Sequence, residues 1–183
     1  MQRLKKLSEE VVHDNPWWRC KHDTFARQDG AVGHYYYGET NGMVLLVPVL
    51  DNGQIVLVMQ YRYLLDRVSI EFPGGGIKTG QDVLLAAKEE LAQETGCRAH
   101  DFVNVGAFEP ANGFIRDRAQ VYLAYVVEQD QPEPDETEQI EVIYRYPDEI
   151  EEMILHGDIW DGETMAAWSL VRHYFLGQGA EIT

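Results

Sequence analysis

The stretch Glu71-Phe-Pro-Gly-Gly-Gly-Ile-Lys-Thr-Gly-Gln-Asp-Val-Leu-Leu-Ala-Ala-Lys-Glu-Glu-Leu-Ala-Gln-Glu-Thr-Gly-Cys97 joins a glycine-rich turn to a segment with helical periodicity. Gly74, Gly75, Gly76 and Gly80 bracket a loop. From Asp82 to Thr95 the apolar positions Val83, Ala87 and Leu91, with Leu84 alongside, recur at three- and four-residue intervals, so the spacing predicts a helix with one apolar stripe. Asp82 suits its N-cap or first turn, and Gly96 ends it. Residues four apart share a helix face, so Glu90 and Glu94 project together and Glu89 pairs with Gln93 one step round. Two parallel carboxylates repel unless something cationic sits between them. Oxygen ligands of this kind suit Mg²⁺, which keeps several waters and takes the rest of its shell from phosphates. A solvated acidic helix face is the other reading, because Glu is an ordinary helix former.

Before this stretch, Met43-Val-Leu-Leu-Val-Pro-Val-Leu50 and Gln54-Ile-Val-Leu-Val-Met-Gln60 are β-rich runs. Asp51-Asn52-Gly53 joins them, and its Asn-Gly pair predicts a tight hairpin turn with φ > 0 at both positions. Pro48 is expected at an edge or bulge, where no ladder N–H is needed. The first 40 residues, polar and rich in aromatics, read as short strands. After the helix, Phe102 to Phe108, Val121 to Val127 and Ile140 to Tyr146 read as strands, and Gln131 to Glu138 as a solvated loop. Asp148 to His156 and Asp161 to Leu176 read as helices, stopped by Gly157 and Gly177. Strands grouped around one central helix, with helices at the end, give an α+β fold arranged as a mixed α/β/α sandwich.

The 183 residues hold 15 Lys+Arg against 31 Asp+Glu, a formal net charge of −16. That surplus argues against nucleic acid and anionic membranes as partners, because neutralising phosphate backbones takes clustered basic side chains. A small phosphate-bearing molecule remains open if a metal ion or local arginines reverse the sign within a Debye length, about 8 Å at physiological salt. Cys20 and Cys97 fit no zinc spacing and read as free thiols in a reducing compartment. The basic start runs into Glu9 and Glu10 without an apolar core, unlike a signal peptide. The longest apolar run, Met43 to Leu50, is less than half of the roughly 20 residues a membrane helix needs. These features predict a soluble, cytoplasmic protein. The histidines have no paired or triad spacing, and neither G-x-S-x-G nor a P-loop lysine is present.

Gly75 to Cys97 resembles the Nudix box, G-x5-E-x7-R-E-U-x-E-E-x-G-U with U an apolar residue, at its full length. Gly75, Glu90, Leu91, Glu94, Gly96 and Cys97 match; Gln81, Glu89 and Gln93 depart. In the family the first Glu of the box supports its Arg, and here both are replaced together. Gln93 puts a neutral amide where the family has a carboxylate, which implies weaker metal binding or fewer ions. The likeness covers nearly the whole chain from Trp17. Val56-Leu-Val-Met-Gln-Tyr-Arg62, with Glu71-Phe-Pro-Gly-Gly75 after it, is similar to the lead-in of ADP-ribose pyrophosphatases and related nucleoside diphosphate sugar hydrolases.

The resemblance implies a Nudix fold over 41–183 with an N-terminal β extension over 1–40, swapped across a homodimer. It implies Mg²⁺, with Mn²⁺ as alternative, on Glu90, Glu94, the Gly74 carbonyl and Gln93. It makes Arg62 a phosphate ligand and Glu71 an organiser of the site. Pro110, in Glu109-Pro-Ala-Asn-Gly-Phe114, belongs to the proline-containing loop near the substrate, and Trp17, Trp18 and Tyr36 to the base pocket. Glu138, then Glu141, in Glu138-Gln-Ile-Glu-Val142, are the candidates for the catalytic base. The implied activity is metal-dependent hydrolysis of the pyrophosphate bond in ADP-ribose or GDP-mannose type substrates, giving a nucleoside monophosphate and a sugar phosphate. A catalytically weakened module that binds a nucleotide or protein partner is the alternative.

Overall fold

The run Met43–Val49 lacks polar residues because both of its faces are covered. Alternation along a strand sends Val44 and Leu46 into one core and Leu45 and Val47 into another. In the computed structural model, which describes residues 3–133 and 139–177, this strand lies at the centre of a seven-stranded mixed sheet. The strands are β1 (Lys5–Asp14), β2 (Arg19–Ala26), β3 (Val32–Glu39), β4 (Met43–Val49), β5 (Ile55–Arg62), β6 (Arg67–Glu71), β7 (Gly74–Gly76), β8 (Cys97–Phe108), β9 (Ile115–Arg116), β10 (Ala119–Gln129) and β11 (Ile140–Arg145). The helices are α1 (Val83–Thr95), α2 (Pro147–His156) and α3 (Gly162–Val171).

The main sheet runs β11-β5-β4-β10-β8, with β6 paired to β5 and β7 to β4. Helix α1 covers one face through Ala86, Ala87 and Leu91, packed with Val44, Leu46 and Val56. Helices α2 and α3 cover the other through Ile150, Ala167, Trp168 and Val171, packed with Leu45, Val47, Ile55 and Leu57. The architecture is the expected α+β sandwich. No helix among the described residues is long and apolar enough to cross a membrane.

Strands β1, β2 and β3 pair antiparallel as the N-terminal sheet, to which β9 adds a fourth strand parallel to β3 at Gly38 and Glu39. The 1–40 segment is thus tied by hydrogen bonds to a loop of the 41–183 segment, including Gly38 N to Phe114 O at 3.0 Å.

Four local expectations change. Pro48 lies in a central strand, not an edge. Leu46 N donates away from β10, to Pro73 O at 2.8 Å, and the prolyl nitrogen two residues on faces that same side. There β4 meets β5 only at Val49↔Ile55, so no ladder donor is lost. The β4–β5 turn has a positive φ at Gly53 (83°) but not at Asn52. Gly53 N donates to Leu50 O at 2.9 Å and Gln54 N to Asn52 Oδ1 at 3.0 Å, a three-residue loop in which one left-handed glycine suffices. Gly74–Gly76, expected as loop, is a short strand antiparallel to Met43–Leu45. Finally, α3 ends at Val171 and the chain tightens into a 3-10 turn at Arg172–Tyr174, where Arg172 grips Glu151 of α2 with two bonds of 2.8 and 2.7 Å.

Candidate functional site

Helix α1 starts where Asp82 accepts a bond from Leu85 N and ends at Gly96 in the left-handed conformation. Burial of Ala86, Ala87 and Leu91 against the sheet sets its rotation, so Glu90 and Glu94 face the glycine strand β7. Glu94 is 4% exposed and accepts a hydrogen bond from Gly74 N at 2.8 Å. Glu90 packs directly on Gly75: a Cβ there would lie 2.5 Å from the Glu90 carboxyl carbon. A side chain at that position would fill the space the carboxylate uses. Gln93 is exposed and lines, with Glu90, Gly74–Gly76 and Trp17, a hollow of about 470 Å³.

The two other substituted box positions touch each other. Gln81 Nε2 donates to Glu89 at 2.9 Å, while Gln81 Oε1 accepts from Lys78 N at 2.9 Å. The brace between loop and helix therefore persists with a neutral amide as donor and a carboxylate as acceptor.

Arg62, at the end of β5, and Glu71, at the end of β6, form a two-pronged ion pair, with Arg62 Nε to Glu71 Oε1 at 2.8 Å and Arg62 Nη2 on Glu71 Oε2. Gln60 Nε2 adds a third donor to Glu71 at 3.3 Å. Glu71 is 5% exposed, whereas about half of the Arg62 side chain reaches solvent. Glu71 foremost, then Asp161 and Glu94, hold the guanidinium firmly cationic.

Two hollows meet at Arg62 and Glu163. One, of about 390 Å³, is bounded by Gly74–Gly76, Glu94, Asn41 and Trp17. The other, of about 1040 Å³, is walled by Tyr63, Leu65, Pro110 and Trp160 and edged by Glu71 and Asp161. Glu163 stands at the start of α3. Burial first, then Asp161 and Asp117, push its carboxyl up to about 7, with Arg62 opposing. Asp161 is fixed as the α3 N-cap, accepting from Thr164 N at 2.7 Å.

The structure thus brings together Arg62, Glu71, Gly74, Glu90, Glu94, Pro110 and Trp17, with Gln93 at the margin. Trp17 is 80% exposed and is held over the glycine strand by a turn in which Asn15 Oδ1 accepts from Trp17 N and Trp18 N, each at 3.0 Å. Trp18 instead tilts against His13, and Tyr36 stacks on His22 with ring centres 4.2 Å apart; neither lines the two hollows. Glu141, opposite Met59, lies on the face of β11 away from α1, since Val142 and Tyr144 pack towards the helix and Ile143 into the other core. It is not brought to Glu90 and Glu94. Glu138 lies outside the described residues. Glu163 and Trp160 were not anticipated: Asp161-Gly-Glu163 reads as an ordinary helix start, and only the packing of α3 onto the main sheet at β4 and β8 gives it a site.

The donor set of Glu90, Glu94 and backbone oxygen is hard and suits a divalent cation that completes its shell with water and phosphate. The close seat of Glu90 on Gly75 fits that use. Among the described residues no three His, Cys, Asp or Glu side chains form a closed cage.

A family model described as NUDIX domain matches residues 40–167. The chain is similar to the ADP-ribose pyrophosphatase of Bacillus subtilis (strain 168), 30% identical over 128 residues, which cover 69% of each chain. It is also similar to the ADP-ribose pyrophosphatase of Mycobacterium tuberculosis, 30% identical over 122 residues, 66% of this chain and 59% of that protein. The methanol dehydrogenase activator of Bacillus methanolicus is 28% identical over 128 residues, covering 69% of each. A solved structure described as ADP compounds hydrolase superposes with a TM-score of 0.84 over 98% of this chain and 97% of its own, at 23% identity, and so shares the fold.

Proposed function

The chain belongs to the NUDIX domain family, and from that premise we propose that it hydrolyses the pyrophosphate bond of nucleoside diphosphate sugars, of ADP-ribose or GDP-mannose type, with a divalent cation. The observation that carries this reading is the convergence of Glu90 and Glu94 on the glycine strand beside the Arg62–Glu71 pair. Glu90, Glu94 and the Gly74 carbonyl would hold Mg²⁺ or Mn²⁺, with Gln93 at the rim, and a cation there supplies charge neutralisation and an acidified water.

The chain's own groups do the rest. Glu71 orients Arg62, whose exposed edge binds a phosphate of the substrate and stabilises charge on the transferring group. Trp17 offers a stacking surface above the glycine strand, suited to any base. Glu138 takes the proton of the attacking water at its carboxylate. Cleavage then gives a nucleoside monophosphate and a sugar phosphate. The reading includes a homodimer, supported by β1, an edge strand whose residues are all exposed. Sedimentation should then give twice the chain mass. The free thiols Cys20 and Cys97 fit a cytoplasmic setting.

The test is turnover of a panel of nucleotide sugars and nucleoside triphosphates with and without Mg²⁺, with Glu90→Gln and Glu138→Gln as controls. Hydrolysis of a nucleotide sugar that collapses in Glu90→Gln is expected; unchanged turnover in that variant removes the metal assignment. Gln93, neutral and exposed, favours a second reading, a binding module. Calorimetry separates the two, since a module binds ADP-ribose without consuming it in excess Mg²⁺.

A further inference from the structure

The hollow beyond Arg62 is lined by neither the glycine strand nor Glu90 and Glu94, yet it is the larger of the two, and Glu163 stands where they join. Resting on the hydrolase reading, we propose that this hollow is the sugar subsite and that Glu163 is the residue that reads the sugar's hydroxyls, so that the chain prefers a neutral polyhydroxylated terminal group there to a phosphate.

The walls and the charge select that occupant. Tyr63, Leu65, Pro110 and Trp160 present apolar and aromatic surface, which accepts the C–H faces of a sugar ring. Trp160 is a fixed wall: its Nε1 donates to Val68 O at 3.2 Å and the Arg67 guanidinium lies 3.5 Å from its ring centre. The ionisable groups at the edge are Glu71, paired with Arg62, Glu109, paired with Arg118 at 2.9 Å, and the carboxyls of Asp161 and Glu163. A terminal phosphate entering this space meets carboxylates, and like-charge juxtaposition excludes it. A sugar hydroxyl is both donor and acceptor and pays no such repulsion. The carboxyl of Glu163, pushed up to about 7 by burial and by Asp161 and Asp117, presents donor and acceptor forms near neutral pH. The diphosphate is left to the opposite side of Arg62, where Gly74–Gly76 and Glu94 lie.

The experiment compares kcat/KM for ADP-ribose, for the β-methyl ester of ADP, which keeps the diphosphate and lacks the sugar, and for ATP. The wild-type chain should favour ADP-ribose over the methyl ester by roughly ten-fold or more, the worth of one or two hydroxyl contacts, with ATP poorest. Glu163→Ala should erase the sugar margin, mainly through KM, by lowering kcat/KM for ADP-ribose far more than for the methyl ester. Glu163→Gln, whose amide both donates and accepts, should keep part of it. An equal loss on both substrates, or an unchanged margin, overturns the assignment. Should Glu163→Ala not fold, Tyr63→Ala, at a wall position that is 84% exposed, must shrink the same margin, and an unchanged margin there is equally fatal. Absence of turnover on every substrate refutes the hydrolase reading separately. The ratio of dissociation constants for ADP-ribose and the methyl ester in wild type and Glu163→Ala then decides the subsite by the same criterion.

Discussion

Glu163 retains near neutral pH a proton that an exposed glutamate has lost. Its carboxyl sits at about 7 in the folded chain against 4.5 ordinarily. Between those values the native state holds a proton that the unfolded chain has released, so stability falls as pH rises through the window. Below about 4.5 both states are protonated and the group makes no difference; above about 7 the whole loss is present. Thermal unfolding without added metal should therefore show Glu163→Gln level with wild type at pH 4 and more stable at pH 8; an equal offset at both would assign the effect to something other than titration. Gly75 makes a second prediction. Ala at this position puts a Cβ 2.5 Å from the Glu90 carboxyl carbon, so the carboxylate must move. The Mg²⁺ concentration for half-maximal activity should rise roughly ten-fold, with little loss of stability, because the group displaced is the end of a flexible side chain. An unchanged Mg²⁺ dependence would separate Glu90 from the metal. Glu90 and Glu94 were legible because a helix face is fixed by local spacing, whereas Glu163 acquires its environment from Asp117 and Arg62, which are remote in sequence.

At the level of elements the same distinction holds. Helix α1 could be read with its caps because Asp82, Gly96 and the apolar spacing lie within one segment. Leu84 was the exception, 37% exposed while Ala86 is buried, since periodicity marks a stripe but not its margin. The strand Gly74–Gly76 has no periodicity to read: it is β only because β4 lies beside it. The end of α3 likewise depends on Glu151, a residue of another helix. The loop before α1 is fastened to the helix by Gln81 and Glu89, and that brace can be tested as a unit. Gln81→Ala removes one neutral-to-charged hydrogen bond and the Lys78 N contact and should cost about 1–3 kcal/mol. Gln81→Glu sets two carboxylates together and should cost at least as much. Combined with Glu89→Arg it restores a donor–acceptor pair, so denaturant unfolding of the double variant should recover most of the loss, as a positive coupling in the cycle. Additive losses would mean that the two side chains do not act together.

Across the whole molecule the charge of −16 and the polyanionic substrate proposed above are compatible only through the local field. Arg62 is the cation at the meeting of the hollows, and Glu71, Glu94 and Asp161 already surround it. Glu71 takes two of its donors, so the charge left for a diphosphate is small. The N-terminal sheet does not alter this balance, because Lys6 and Lys21 are spent on Glu9, Asp23 and Glu39. On the proposed reading, binding of a pyrophosphate brings positive charge with it, which the carboxylates of Glu90 and Glu94 would receive. Calorimetric titration of ADP-ribose into the Glu138→Gln variant, chosen to slow turnover, should give a dissociation constant at least ten-fold weaker in excess chelator than in millimolar Mg²⁺. The chelator arm should strengthen as salt is raised, because screening relieves repulsion between the acidic surface and the ligand. Cation-assisted binding that weakens with salt in the same experiment would be consistent with this field, whereas tight, salt-insensitive binding in chelator would show that recognition rests on the aromatic walls and hydroxyl contacts and not on a metal-reversed charge.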